Sequence, residues 1–524
     1  MTHHPADWRE RMICVMLGRR VNAKIATIRT PVICVLFVLA TLIFAQLAFA
    51  GPAPATAQHQ ADYCPIPSNQ VIQNGRTLQP CPRPPQERGR SWYIQPLSNF
   101  YFMQNFSQIG NLPSNDIAWR YAFATARSEH LLSDDALWRP WLADHGIRWS
   151  LSYKAEVLGN PSGGNRQGMD YASEEALQIN IDWNKLAGIP DFWTHMLVVN
   201  RAGRNLMADN FGDSRLSLQE VYGAGGNVLA HLVWLYGESL LFNKKLGIDY
   251  GRLPVALEVA HSPIYCQFTT ICSSPNALKR EQAFTVWPKS NWGIAGRIRP
   301  VKDNILTFGA FASDAKYGGP SGWNWADNGN TGVLLPIEDM WQPYVGPHAL
   351  VGHYKVGYAI DTTRYAPLGS FASNPQARGK VRDTVWFLAD QMIYRTGQND
   401  LSGVVLFGGY VHNTGSRSVY RSQAFGGIDA GGIVPGRPFD RPGLVFAHYD
   451  FSQNLQQEAQ TLQALHLPTG NLPLMGENVF ELKYGAAIVR GVRFQPEYQY
   501  IVHPAASKRL GNASVFGFMT TMIL

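Results

Sequence analysis

The chain has 524 residues and a formal net charge of +7 at pH 7. Six of its 45 Lys and Arg residues and two of its 38 Asp and Glu residues lie in positions 1–50, so residues 51–524 carry only +3. This small excess removes the main support for a nucleic-acid-binding function. Aromatic residues make up 12% of the chain and it contains 49 glycines, which favours an all-β protein with many turns.

The first fifty residues have the layout of a secretory signal peptide. Four basic residues between positions 19 and 29 precede an uncharged apolar run at 31–50, which ends in Ala-Phe-Ala. We predict cleavage after residue 50, with a second small-residue site as late as residue 57. The competing interpretation is an uncleaved anchor, because the run is about as long as a membrane helix. No later stretch resembles a membrane helix, so a membrane-embedded mature protein would have to span the lipid with strands.

Residues 58–145 are predicted to form an extension that precedes the strand-rich part of the chain. Its beginning is rich in Pro and Gln, and apolar residues within 117–132 recur at helical spacing. We therefore expect a Pro-rich, partly helical extension that lies in the periplasm or plugs the barrel.

Four cysteines lie outside the signal segment: Cys64, Cys81, Cys266 and Cys272. Sequence alone permits three pairings. The local pairs Cys64–Cys81 and Cys266–Cys272 close short loops and suit an oxidising compartment. A zinc site is the alternative, but neither pair has a His or Cys partner at zinc-like spacing. We expect structural disulfides.

From residue 147 onward the sequence alternates with the period of a β-strand. In 147–157 the odd positions are apolar and the even positions are Arg, Ser, Lys or Glu. The alternation recurs at 177–183, 350–361, 480–486 and 492–500. One such strand would also suit a soluble sheet with one wet face. Its recurrence, with aromatic residues on the apolar face, predicts a transmembrane β-barrel that is apolar outside and polar inside.

The last eleven residues predict one more strand of this barrel. Phe516, Phe518, Met522 and Leu524 share one face, with Thr520 as its polar member. A barrel strand needs ~9–11 residues to cross the membrane, although the edge strand of a soluble sandwich could have the same pattern. Residues 147–524 would supply about 24 residues for each of sixteen strands with its connection. Fourteen or eighteen strands would also be compatible.

Short segments spread over residues 137–524 carry a family resemblance. They are His-Gly-Ile at 145–147, Asn-Pro-Ser-Gly-Gly-Asn-Arg-Gln-Gly at 160–168, Ile-Asp-Trp-Asn-Lys-Leu-Ala-Gly at 181–188, Leu-Gly-Ile-Asp-Tyr-Gly-Arg at 246–252, the cysteine loop at 266–272, Trp-Pro-Lys-Ser-Asn-Trp at 287–292, Ala-Asp-Gln at 389–391, Val-Pro-Gly-Arg-Pro-Phe-Asp at 434–440 and Gln-Pro-Glu-Tyr-Gln-Tyr at 495–500. In this order and spacing the chain resembles the carbohydrate-selective, glucose-type porins of Gram-negative outer membranes. Two departures are a final Leu524 where such barrels usually end in Phe, and a longer part before residue 137.

The resemblance implies a sixteen-stranded barrel in the Gram-negative outer membrane that passes monosaccharides such as glucose, and related polyols, down their concentration gradient. We also expect no catalysis, no cofactor and no metal, and a monomer or homotrimer surrounded by outer-membrane lipid. Physical chemistry agrees, because a sugar offers hydroxyls to polar groups and C–H faces to aromatic rings.

Strand parity and the Gly-Arg segments give candidate residues for binding sugars in the lumen. They are Lys154, Glu156, Asp182, Arg252, Arg297, Arg299, Lys355, Asp361, Glu481, Lys483, Arg493, Glu497 and Gln499. Any one of them could instead be an ordinary wetted residue that tunes conductance. We expect a constriction of clustered Arg and Glu side chains among them.

Two other functional interpretations stay open at this point. The first is an outer-membrane barrel with a plugged lumen that acts as a surface-binding protein or an enzyme. The sequence contains no His-Glu-x-x-His, Walker loop or Gly-x-Ser-x-Gly motif, which disfavours an enzyme. The second is a porin whose extension docks with a periplasmic dehydrogenase or exporter.

Overall fold

The computed structural model describes residues 138–524 with short gaps, together with Ile72–Gln73, Arg76–Thr77 and Leu131. The gaps are residues 214, 222–226, 263, 280–282, 302–303, 315–318, 320, 327, 346–349, 367, 370–379, 396–402, 415–416, 438–439, 471 and 490. The predicted signal segment, Cys64 and Cys81, and all of the predicted helical stretch except Leu131 lie outside the described residues.

Sixteen antiparallel strands form a closed barrel, which confirms the predicted fold class and strand number. The strands are β1 (Ile147–Ser162), β2 (Gly168–Asp182), β3 (Phe192–Gly203), β4 (Val228–Leu241), β5 (Leu246–Leu253), β6 (Asn291–Ile298), β7 (Asn304–Asp314), β8 (Asn330–Trp341), β9 (Leu350–Tyr365), β10 (Lys380–Arg395), β11 (Gly403–Thr414), β12 (Tyr420–Gly431), β13 (Arg441–Phe451), β14 (Glu477–Val489), β15 (Val492–Val502) and β16 (Ala513–Ile523). Each strand pairs with its neighbours in sequence, and β16 closes the barrel by pairing with β1. A closed barrel satisfies all of its strand hydrogen bonds and leaves no sheet edge.

The described α-helices are short and lie between strands or before β1. They are α1 (Arg139–Asp144), α2 (Trp183–Ala187), α3 (Asn276–Lys279) and α4 (Gln453–Ala464). Single turns of other helix types occur at Val255–Leu257, Tyr265–Gln267, Met207–Phe211 and Pro504–Ala506. Two small strand pairings lie outside the barrel wall, between Ile72–Gln73 and Arg76–Thr77 and between Tyr344–Val345 and the start of β9. Among the described residues, no helix combines the length and the hydropathy that a membrane crossing requires.

The outer face of the wall is apolar and rich in aromatic residues. On β16, Phe516 is 53% exposed and Phe518 is 37% exposed, whereas Val515 before them and Met519 after them are buried. Phe518 packs against Phe494 of β15 with 5.1 Å between ring centroids. Cross-strand aromatic pairs of this kind stabilise a sheet and cover it with apolar surface. The side of each strand that sequence alternation placed toward lipid therefore lies on the outside of the barrel.

The two ends of the barrel carry connections of different length. Connections after even-numbered strands have at most nine residues, and this short-turn end also holds the start of β1 and the end of β16. The longest connections follow odd-numbered strands, at 204–227, 254–290 and 452–476. We call the opposite end the long-loop end. In outer-membrane barrels the short turns are periplasmic and the long loops are extracellular.

The wall is interrupted where the longest loop departs. β5 and β6 have only eight residues each, and β5 pairs with β4 only over Leu235–Leu241. Another loop covers the unpaired half of β4, because Leu232 donates its N–H to the carbonyl of Ser321 at 3.0 Å. Gly322 has a positive φ of 66°, and a Cβ there would lie 2.2 Å from the Leu232 carbonyl oxygen, so only glycine allows this approach.

Candidate functional site in the barrel lumen

The loop at residues 254–290, which we call the inner loop, lies inside the barrel. Hydrogen bonds join it to side chains of eight consecutive strands, β8 to β15. These strand side chains are, in order, Glu338, Lys355, Asp390, Asn413, Gln423, Tyr449, Glu481 and Arg493. A loop tied to half of the wall narrows the lumen and fixes which wall side chains face the remaining space.

The inner loop is held by apolar packing as well as by hydrogen bonds. Phe268 and Phe284 are buried, and their rings contact Phe407 of β11 and Trp386 of β10, with centroids 5.3 and 6.2 Å apart. These two wall residues point inward, so the lumen side is apolar where the loop packs. Strand parity predicts a polar inner face and therefore does not reveal this apolar region. The signal was present, since β11 has apolar residues on both faces.

The tip of the inner loop is closed by the predicted disulfide between Cys266 and Cys272, with 4.0 Å between their Cα atoms. The second predicted pair, Cys64 and Cys81, lies outside the described residues. Glu481 binds the tip by accepting the backbone N–H groups of Thr269 and Thr270 at 2.9 and 3.0 Å and the hydroxyl of Thr270 at 2.6 Å. A buried carboxylate that accepts three hydrogen bonds is a strong anchor.

Two further predicted residues of β15 reach the same tip. Glu497 accepts a hydrogen bond from the Thr269 hydroxyl at 3.2 Å and another from Gln499 Nε2 at 3.0 Å. Gln499 also donates to the carbonyl of Leu218, which belongs to the loop at 204–227. The tip thus meets the wall and a second inward-folded loop at one place.

The loop at 204–227 is held by the two predicted residues of β1. Lys154 forms an ion pair with Glu220, and Glu156 accepts the backbone N–H groups of Glu220 and Val221 at 2.9 and 3.1 Å. A carboxylate oxygen of Glu220 lies within 4.8 Å of both sulfurs of the disulfide. Burial raises the pKa of Glu220, while the Lys154 ammonium lowers it and keeps the net shift smaller. The two loops therefore touch across the lumen.

The predicted arginines of β5 and β6 form a separate group. Arg297 pairs with Glu238 at 2.9 Å and with Asp249 at 3.2 Å. Arg252 donates to the hydroxyl of Ser290 at 3.0 Å, at the end of the inner loop, and to a backbone carbonyl of the loop that covers β4. Arg299 is buried one residue beyond β6. Arg252 therefore stabilises the interrupted part of the wall, whereas Arg297 links β6 to β4 and β5.

The predicted residues of β9 lie apart from each other. Lys355 donates to the carbonyl of His261 at 2.6 Å and lies 3.5 Å from Glu338. Asp361 accepts the hydroxyl hydrogen bond of Tyr365 at 2.6 Å near the long-loop end. Lys355 therefore supports the inner loop, whereas Asp361 supports the wall.

A basic group lies nearer the short-turn end of β13 to β15. Lys483 donates to Asp429 at 2.6 Å, and Arg441 pairs with the same carboxylate. Arg493 donates to the amide oxygens of Gln267 and Gln495, both at 2.8 Å. Lys483 and Arg493 were predicted from strand parity, whereas Asp429 and Arg441 were not. Asp429 lies in a glycine-rich stretch typical of a turn, and Arg441 directly follows a loop.

Asp182 has a local role instead of facing the lumen group. It is the N-cap of α2, where its carboxylate accepts the backbone N–H groups of Asn184 and Lys185 at 3.0 and 3.4 Å. The other twelve candidates are buried inside the barrel. The structure gathers Lys154, Glu156, Glu481, Glu497 and Gln499 around the inner loop tip and places Lys483 and Arg493 beside them.

These features define a porin-type barrel, in which closed strands enclose a lumen narrowed by an inward loop. The sequence model of the carbohydrate-selective porin OprB family matches residues 166–523, and the chain belongs to this family. It is 26% identical over 416 residues to Porin B of Pseudomonas aeruginosa, covering 74% of this chain and 90% of that protein. The high-pH structure of Pseudomonas putida OprB has the same fold, with a TM-score of 0.70 at 24% identity over 76% of this chain and 99% of that one.

Family membership shows the cellular location and the general function of the protein. It is a β-barrel of the Gram-negative outer membrane and a channel for carbohydrates. The curated relative is likewise named as a porin and not as an enzyme.

Proposed function

We propose that the chain lets monosaccharides and related polyols such as glucose diffuse passively across the outer membrane, without chemical change. The observation that carries this proposal is the inner loop, which is fixed to eight strands by charged, amide and tyrosine side chains. A rigid constriction lined by such groups can exchange hydrogen bonds with sugar hydroxyls as water leaves them.

Passage also requires weak binding, since each site must release the sugar it takes up. Glu481, Glu497 and Gln499 already share hydrogen bonds with the inner loop, so a sugar would compete with existing partners. This competition supports brief, low-affinity contacts. We propose that the predicted lumen residues other than Asp182 contribute to these brief contacts with sugars. Asp182 caps a helix instead.

Proteoliposome swelling tests the proposal with the purified protein. We expect faster swelling with glucose than with a disaccharide, and faster swelling with glucose than with a neutral amino acid of similar size. Rates that depend on solute size alone would reduce the protein to a general diffusion pore. Blank liposomes and liposomes with heat-denatured protein are the controls.

One observation favours a second candidate, a barrel with a plugged lumen that binds ligands through its loops. Twelve of the predicted lumen residues are buried against loops or wall, which leaves little of their surface to solvent. The absence of swelling with every solute, for a protein shown to be folded by its gel mobility without heating, would support this candidate.

The signal peptide, the extension and the oligomeric state are also proposals. We infer a signal peptide at 1–50, an extension at 58–145, and a monomer or homotrimer surrounded by lipid. N-terminal sequencing of the outer-membrane form locates the cleavage site. Deletion of residues 58–140 separates transport by the barrel from docking by the extension, because a porin should still pass glucose without that segment.

A further inference from the structure

The loop at residues 204–227, which we call the strap, reaches from one side of the barrel to the other at the long-loop end. It leaves β3 and returns to β4, and Arg215 near its middle contacts β12 and β13. In a closed barrel of sixteen strands, β4 and β12 are eight strands apart and lie on opposite sides. The strap therefore crosses the mouth of the lumen, whereas the inner loop follows one half of the wall.

Arg215 is held at the far wall by its side chain and by its backbone. Its Nη2 donates to the backbone carbonyl of Ala505, in the loop between β15 and β16, at 3.0 Å. Its guanidinium carbon lies 5.0 Å from the ring centroid of Phe451, the last residue of β13. Its carbonyl accepts the hydroxyl of Tyr420, the first residue of β12, at 2.8 Å. Both aromatic residues are buried, so these contacts are shielded from water.

Two carboxylates complete the surroundings of the Arg215 guanidinium. Asp213 of the strap accepts its Nε–H at 2.9 Å. Glu477, the first residue of β14, interacts with the charge of Arg215 and accepts the backbone N–H of Ala505 at 3.1 Å. Ala505 has a positive φ of 56°, which is uncommon for a residue with a side chain. A strained turn thus presents the Ala505 backbone to Glu477 and Arg215 together.

The first part of the strap is held on its own side of the barrel. Asn165, in the connection between β1 and β2, donates its backbone N–H to the carbonyl of Asn210 at 2.8 Å. Arg204 pairs with Asp209, which also belongs to the strap, at 2.7 Å. These contacts fix the beginning of the strap near β2 and β3. The attachment to β12 and β13 is made through Arg215.

The part of the strap beyond Arg215 meets the tip of the inner loop. Gln499 of β15 donates to the carbonyl of Leu218 in the strap at 2.9 Å and to the hydroxyl of Thr269 in the tip at 3.0 Å. The same wall side chain therefore bridges the strap and the inner loop. Movement of the strap away from the far wall would disturb this bridge and widen the constriction.

We propose that Arg215 is a positioning residue that holds the strap across the mouth of the lumen and thereby sets the largest carbohydrate that the channel admits. It acts through the strap and not by contact with the sugar. A monosaccharide passes while the strap is in place, whereas a disaccharide passes only when the strap has left the far wall. The inference rests on the proposed function, since it requires sugars to pass through this lumen.

Proteoliposome swelling of the purified protein with glucose and maltose tests this assignment. Arg215→Gln loses the charge-assisted contacts of the guanidinium, and the loss of one such contact should raise the population of released strap, and with it the maltose rate, about tenfold. Glucose swelling should stay within about twofold of the unaltered protein, because glucose passes with the strap in place. Arg215→Lys keeps a positive charge beside Asp213 and should restore part of the size limit.

Arg204→Gln is the matched control, because Arg204 belongs to the same strap but pairs with carboxylates on its own side, Asp209 and Asp170. Its ratio of maltose to glucose rates should equal that of the unaltered protein. An equal rise of the ratio in this control would overturn the proposal, since the attachment at the far wall would then have no special role. A purely structural role of Arg215 would lower the yield of folded barrel and leave the ratio unchanged, which would also overturn it.

The outcomes separate this inference from the proposed function. Glucose swelling with an unchanged ratio in Arg215→Gln would overturn the role of Arg215 and leave the sugar channel intact. No glucose swelling with the unaltered protein would overturn the proposed function itself.

Tyr420→Phe provides a second test if Arg215→Gln does not fold, since it removes the hydroxyl that binds the Arg215 carbonyl. The loss of one neutral hydrogen bond should raise the maltose rate about fivefold. A maltose rate equal to that of the unaltered protein would overturn the proposal.

Discussion

The two faces of the β14–β16 wall are made by alternate residues of the same strands, yet they meet different surroundings. Phe480, Leu482 and Phe518 face outward and are exposed on the isolated chain, whereas Glu481 and Lys483 face inward and are buried. Lipid is the same solvent at every outward position, so apolar residues suffice there. Each inward position meets a different partner from the inner loop or the opposite wall. The residues of the outer face therefore follow one repeating apolar pattern, whereas each residue of the inner face is determined by its own contact.

The largest expected effect comes from breaking one individual contact on the inner face. Glu481→Ala removes the acceptor of two backbone N–H groups and one hydroxyl at the inner loop tip. Leaving buried donors unsatisfied costs about 1–3 kcal/mol for each, so we expect the tip to leave the wall. Single-channel conductance and disaccharide swelling should both rise severalfold.

A carboxylate on the outer face provides the control for this variant. Glu175 of β2 lies between the buried residues Glu174 and Ala176 and faces outward. Glu175→Ala should leave conductance unchanged. If Glu481→Ala also leaves it unchanged, the inner loop does not set the width of the lumen.

The second-largest effect is expected from placing a charged residue on the apolar outer face. Phe518 lies midway along β16 and packs against Phe494. Phe518→Lys should destabilise the folded barrel by about 2–4 kcal/mol, because a lipid-facing ammonium near the middle of the bilayer is poorly solvated. Urea titration of the protein folded in vesicles measures the change. Phe518→Leu keeps the surface apolar and should cost clearly less; equal losses would mean that packing and not lipid contact sets the requirement.

A smaller effect is expected from the disulfide at the inner loop tip. Replacing Cys266 and Cys272 together by Ser opens a loop of seven residues, which should cost about 2 kcal/mol by the chain-entropy relation. Glu481 still binds the tip, so mean conductance should stay close to that of the unaltered protein while current fluctuations increase. Unfolding in urea with and without reductant checks the stability change, and reductant should destabilise the double variant less than the unaltered protein, because the variant keeps only the predicted Cys64–Cys81 pair.

The sequence predicted the outer face and the barrel better than the lumen, for reasons visible in particular residues. The alternation of 147–157 and 480–486 depends only on which side of the strand meets lipid, so residue parity alone was enough to assign the outward face. Asp429 and Arg441 could not be recognised as partners because twelve residues and a loop separate them. Parity assigned Asp182 to the lumen, but its position at the start of α2 makes it a helix cap. The inward Trp386 depends on the inner loop, whose path follows from tertiary contacts that no local pattern encodes.

The smallest expected effect is a dependence of the inner loop on pH. Burial, and then the nearby Lys355 ammonium, lower the pKa of His261 well below its ordinary value of 6.5. The folded protein therefore keeps this imidazole neutral at a pH where the unfolded chain already binds a proton. Stability from this group is fully present above pH 6.5 and is lost as the pH falls below that value. Between pH 7.5 and pH 5.5 the loss should be about 1 kcal/mol.

His261→Asn isolates this contribution, because the variant has no imidazole to titrate and keeps the backbone carbonyl that Lys355 binds at 2.6 Å. The difference in unfolding free energy between the unaltered protein and the variant should therefore be smaller at pH 5.5 than at pH 7.5. A difference that does not change with pH would show that His261 is solvated in the folded barrel. In that case the inner loop would pack less tightly against β9 than its contacts indicate, and the inner face at this point would be set less by individual contacts than at Glu481.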